Sequence, residues 1–131
     1  MDEELEEIRR KKLKEIQEEI ERRNSKPQEI DDETFDQFVS SNNVAVIDFW
    51  APWCAPCRMV APSIESLAFE LRGRVAFGKL NVDENQATAA RFNVMSIPTL
   101  AIFVNGKYVD RIVGALPKAA IYERIAKVAG L

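Results

Sequence analysis

The residues best suited to chemistry in this chain are its only two cysteines, set two residues apart in DFWAPWCAPCRMVAP (48–62). Such a pair has three uses: a metal site, a structural cross-link or a redox couple. Structural zinc takes about four Cys or His ligands, and the chain has two Cys and no His. A metal would therefore need ligands shared across a dimer. A cross-link spanning two intervening residues removes little chain entropy, because that stabilisation grows with loop length. Short spacing does supply proximity. Once one sulfur is held in a mixed disulfide, the other can attack it intramolecularly.

The pair is also asymmetric by placement. Cys54 falls at the start of a helix expected over 54–71, just after a buried strand. Free N–H groups and the helix dipole there favour a thiolate, the nucleophilic form. Cys54 is thus the attacking residue. Cys57, nearly one turn further in, is expected to be more buried, with a higher pKa, as the resolving thiol. Pro56 lacks an N–H and stiffens the turn between them. Asp48 is the one charge in the apolar run VAVIDFW (44–50), where desolvation raises a carboxyl pKa.

These groups need a scaffold, and its pattern is legible. PQEI (27–30) reads as a short edge strand. DDETFDQFVSS reads as a helix capped by Asp31 or Asp32, with Phe35, Phe38 and Val39 inward. VAVIDFW reads as a strand buried on both faces. The helix 54–71 carries Pro62 inside it, where a kink is expected. A strand follows at 75–82 and a short helix at 85–92. Two strands in 99–113 are joined by Asn105-Gly106, a strong hairpin signal. The last helix, 117–129, starts with Pro117 at the first helical position and turns Ile121, Ile125 and Val128 inward. The order β-α-β-α-β-α-β-β-α gives an α/β fold. Parallel crossovers and a terminal antiparallel hairpin form a mixed central sheet with helices on both faces.

Residues 1–24 differ in composition and form a separate charged extension to a domain spanning 25–131. Leu5, Ile8, Leu13, Ile16 and Ile20 lie on one stripe of a helix expected over residues 2–23, with Arg9 and Lys12 at its edges. This is either a solvated helix resting lightly on the domain or one that pairs with a copy of itself or with a partner.

With 47% apolar and 30% charged residues, the chain can bury a core. A net charge of −3 offers no footprint for nucleic acid or an anionic membrane. No run approaches the length of a membrane span, and the acidic N-terminus is unlike a signal peptide. The expected location is the cytoplasm, where disulfides are usually transient and catalytic.

W-C-A-P-C-R, preceded by V-I-D-F-W-A, followed by Pro62 and completed downstream by S-I-P-T and N-G, resembles the thioredoxin family in colinear order over about residues 27–131. The resemblance implies the thioredoxin fold and a protein-disulfide reductase working through a Cys54/Cys57 dithiol–disulfide couple, with no bound cofactor and no metal. It casts Asp48 as the buried proton acceptor and donor for Cys57, and Lys79 as the residue that tempers it. Pro98 is the implied cis-proline opposite the sulfurs, and Ile97 before it offers backbone groups to an extended substrate. Trp53, Ala55 and Pro56 belong to the docking surface, Trp50 packs beneath the loop, and Gly114 keeps the groove open. The plain alternatives are a solvent-facing Asp48, a surface Lys79, a trans Pro98 and a strand-terminating Gly114. Implied partners are disulfide-containing proteins and a thioredoxin reductase as electron donor.

The chain departs from the family in Ala55-Pro56 where Gly-Pro is usual, and in Met95 and Ser96 before the proline. The first departure touches redox potential and the second substrate preference. A disulfide isomerase or oxidase on the same fold, or a redox-regulated binding module, is the alternative function.

Overall fold

VAVIDFW becomes the middle strand of a five-stranded sheet in the computed structural model, which describes residues 2–131. In chain order the elements are α1 (Asp2–Asn24), β1 (Gln28–Ile30), α2 (Phe35–Ser41), β2 (Val44–Trp50) and α3 (Ala55–Glu70). They continue with β3 (Ala76–Asn81), α4 (Gln86–Arg91), β4 (Thr99–Val104), β5 (Lys107–Val113) and α5 (Lys118–Ala129). The strands lie in the order β1-β3-β2-β4-β5. β1 and β2 run parallel to β3, β4 runs antiparallel to β2, and β5 antiparallel to β4. This is the mixed sheet, helix-flanked on both faces, of the thioredoxin fold.

Side chains alternate across a strand, and β2 shows what that does. Val44 and Val46 face a core layer built with Val60, Ile64 and Leu67 of α3 and Ile121 and Ile125 of α5. Ala45, Ile47 and Phe49 face the opposite layer, with Phe35, Phe38 and Val39 of α2. Asp48 shares the parity of Val44 and Val46, so it points to the α3 side. Lys79 pairs with Asp48 in register and shares the parity of Phe77, which lies in the α3 layer.

The hairpin turn has positive φ at both Asn105 (52°) and Gly106 (80°), the requirement of a tight primed turn. Two helix starts differ from the sequence reading. α2 begins at Phe35 because Asp31 builds a separate turn first: its Oδ1 accepts the amides of Glu33 and Thr34 at 3.0 and 2.8 Å. Asp32 instead crosses to the start of α4, accepting the Thr88 amide at 2.9 Å and its hydroxyl at 2.6 Å. Pro117 is the N-cap of α5, with extended ψ of 151°, and its carbonyl accepts the Ile121 amide. Its ring fixes φ equally well one position earlier.

Candidate active site

The loop after β2 turns directly into α3, and Cys54 is the residue at that junction. It is the N-cap of the helix, extended at φ −85° and ψ 107°. Its Sγ accepts the backbone N–H of Cys57 at 3.2 Å, satisfying one of the amides a helix start leaves free. Pro56, in that first turn, has no N–H to compete. Cys54 and Cys57 are joined as a disulfide with Cα atoms 5.3 Å apart. The burial gradient expected between them is absent: Cys54 is 4% and Cys57 3% exposed. Ala51 shares one buried cluster with the two cysteines, and Trp50, Val82 and Ile97 pack against it, so the difference between the sulfurs lies in hydrogen bonding rather than depth.

Across the groove, the Ile97–Pro98 peptide bond is cis. The Ile97 carbonyl oxygen lies 3.8 Å from Cys54 Sγ, and Pro98 is buried. The Pro98 carbonyl accepts the Gly114 amide at 2.9 Å. Gly114 has φ +94°, which only glycine adopts at low cost, and a Cβ there would point into open space.

Trp53 is 68% exposed, yet it is fixed. Its indole N–H donates to the two carboxylate oxygens of Asp83 at 2.9 and 3.2 Å. Arg58 also holds this loop, donating to the Pro52 carbonyl at 2.7 Å. Asp83 did not stand out in the sequence, and Arg58 entered only as the last residue of W-C-A-P-C-R, with no role of its own. Each is a charged residue in ordinary surroundings, and only the folded loop brings it to its partner. Ala55, Pro56 and Met59 on α3, and Met95 and Ser96 before Pro98, are exposed. Pro62 lies within α3, past the cysteines.

Asp48 is 5% exposed, and its Oδ1 has no hydrogen-bond partner. Burial raises its pKa from 3.8 to about 7, and the positive charge of Lys79 works against the rise. Lys79 is also held by Trp50, its Nζ lying 4.1 Å from the ring centroid. Asp48 borders a cavity of about 200 Å³ shared with Lys79, Lys26, Glu65 and Ala61. Ala61 is one helical turn beyond Cys57, so both lie on the α3 face turned toward Asp48. The arrangement joins a thiol pair, a neutralisable carboxyl and a backbone edge, which is the equipment for thiol–disulfide exchange. No group of three or more potential metal ligands occurs among the described residues.

Comparison with known proteins agrees with this geometry. The thioredoxin family model matches residues 26–127. Thioredoxin 1 of Nostoc sp. is 45% identical over 100 residues, covering 76% of this chain and 94% of the relative. The thioredoxin of Staphylococcus saprophyticus is 49% identical over 98 residues, covering 75% and 93%. The chloroplastic M-type thioredoxin of Pisum sativum is 45% identical over 101 residues, covering 76% of this chain but 59% of its own length. Among solved structures, a mutant thioredoxin from Halobacterium salinarum is similar at a TM-score of 0.75 and 36% identity, covering 82% of this chain and 94% of that one.

Proposed function

The chain belongs to the thioredoxin family and is a thiol–disulfide oxidoreductase, and from that premise we propose that it reduces protein disulfides in the cytoplasm, with Cys54 attacking and Cys57 resolving. The observation that carries the assignment of roles is the capping bond. The Cys57 amide aims its hydrogen at Cys54 Sγ, and a thiolate accepts such a bond more strongly than a thiol does.

In the proposed cycle the Cys54 thiolate attacks a substrate disulfide, and the departing substrate sulfur takes up a proton. The Ile97–Pro98 edge aligns the substrate backbone, and Trp53, Ala55 and Pro56 form the surface it meets. Cys57 then gives its proton to Asp48, whose pKa near 7 suits both accepting and releasing it. The Cys57 thiolate displaces the second substrate sulfur from Cys54. Two electrons have passed to the substrate, and the 54–57 disulfide remains. Lys79 tempers Asp48, and Gly114 leaves space at the groove edge. No bound cofactor enters this reading, since the dithiol carries both electrons; a thioredoxin reductase restores it. The catalytic domain spans 25–131, residues 1–24 are an extension, and residues 2–23 mediate self-association.

Trapping tests the assignment. Cys57→Ser should accumulate a mixed disulfide on Cys54 that added dithiol releases, whereas Cys54→Ser should accumulate none. Insulin reduction surviving in Cys54→Ser would sink the proposal.

A further inference from the structure

Lys79 stands between two cavities. One, of about 200 Å³, is bordered by Asp48, and the other, of about 480 Å³, by Trp50. The strand register sets Lys79 directly beside Asp48, where an ion pair would be expected. The two residues form none. Instead the Lys79 Nζ lies 4.1 Å from the centre of the Trp50 ring, and Asp48 Oδ1 is left without a partner. Trp50 is two residues beyond Asp48 on β2, so both side chains leave the same face of the sheet. The indole also packs against the buried cluster that holds Cys54 and Cys57.

We propose that Trp50 is a positioning residue for disulfide exchange: its ring draws the Lys79 ammonium away from Asp48 and keeps that carboxyl free to take the Cys57 proton. This deepens the function proposed above and rests on it. An opposite charge in contact with a carboxylate stabilises it and lowers its affinity for a proton. Lys79 released onto Asp48 would therefore leave a carboxylate poorly able to draw a proton from a thiol. Tryptophan makes the strongest cation–π contact of the aromatic side chains, and desolvation strengthens it. The ring holds the ammonium without bringing a second charge, so it restrains Lys79 and adds nothing to the field at Asp48. Lys26, Glu29 and Glu65 line the Asp48 cavity as well, from the α1–β1 connection, β1 and α3. Only Lys79 is paired with Asp48 in the sheet register.

Carboxyl-carbon NMR of the oxidised full chain reads the Asp48 titration directly, its resonance being the one lost in Asp48→Asn. Trp50→Leu should lower the midpoint by about one pH unit or more, as Lys79 turns to the carboxylate. Trp50→Phe keeps a weaker ring and should lower it less; it carries the same test if the leucine variant does not fold. Lys79→Met should raise the midpoint, and adding Trp50→Leu to Lys79→Met should change nothing further. Lys26, Glu29 and Glu65 are kept in every variant. An unmoved midpoint in the Trp50 variants would overturn the proposal. So would a fall of equal size with and without Lys79, which would mark water entry rather than the ammonium. In single turnover, the pH profile of mixed-disulfide decay should move down with the titration. A titration that moves while that profile stays fixed would remove Asp48 from resolution and Trp50 from exchange, with the ring's hold on Lys79 intact. Trapping on Cys54 with Cys57→Ser reports separately on the reductase itself.

Discussion

Asp48 is where the chain's stability and its proposed chemistry meet in a single atom. A carboxyl with a folded pKa of about 7 and an unfolded value of 3.8 binds more protons in the folded state between those limits. Its contribution to stability is full below pH 3.8 and is lost as pH rises through about 7, a swing of at most about 4 kcal/mol. Denaturation of the oxidised protein between pH 4 and 8.5 should therefore show stability falling with pH. Asp48→Asn should flatten that decline and be more stable than the native chain at pH 8 by a few kcal/mol; parallel profiles for the two would refute it. The same substitution should slow decay of the mixed disulfide while leaving its formation nearly unchanged, as single-turnover kinetics can resolve. Trp53 supplies a second test at this scale. If the Asp83 carboxylate holds the indole ready for docking, Asp83→Ala should raise KM for a protein disulfide several-fold and change kcat little, and Trp53→Ala should do the same more strongly. A loss confined to kcat would instead tie this pair to the chemical steps.

At the scale of elements, β3 shows how closely the sheet and α2 are fitted. A Cβ on Gly78 would lie 3.1 Å from Phe38, 3.2 Å from Ile30 and 3.3 Å from Ile47, so three core side chains would have to yield at once. Overpacking of this kind costs about 1–3 kcal/mol. Gly78→Ala should lower the unfolding free energy by that amount while leaving the Cys54–Cys57 couple active, measured by urea denaturation beside insulin reduction. That glycine reads from the sequence only as an interruption of VAFGKLNV, because its crowding comes from α2, β1 and β2. The contrast runs through the molecule. Alternating apolar runs, Asn105-Gly106 and the CAPC spacing are local signals, and the elements and the thiol pair were legible from them. The start of α2 was not, since Asp31 closes a turn of its own before the helix and Asp32 is drawn to Thr88, 56 residues away. Equal burial of the two cysteines was hidden for the same reason: Ile97, on a distant loop, packs against the cluster that holds them. Helical position alone could predict a depth difference but not the cover that removes it.

For the whole molecule, the question is how far α1 and the thiol site are coupled. The helix touches the domain through an exposed ion pair and a cation–π contact. The first is worth at most about 1 kcal/mol and the second about 0.5–1 kcal/mol. Both fall on Arg72 and Phe69, at the end of α3 opposite the cysteines. Helix α3 spans Ala55–Glu70, so at about 1.5 Å per residue its length separates the two ends by about 24 Å. Deleting residues 1–24 should therefore lower stability by no more than about 2 kcal/mol and leave the rate of insulin reduction within about twofold. It should also abolish the concentration dependence of sedimentation. A large loss of reductase activity with the fold intact would mean that α1, or the second copy it recruits, reaches the Trp53 and Pro98 surface. Unchanged dimerisation after the deletion would place the self-association surface on the domain itself. The two measurements separate a tether that gathers catalytic domains from an element that shapes catalysis, and the contacts on Arg72 and Phe69 favour the tether.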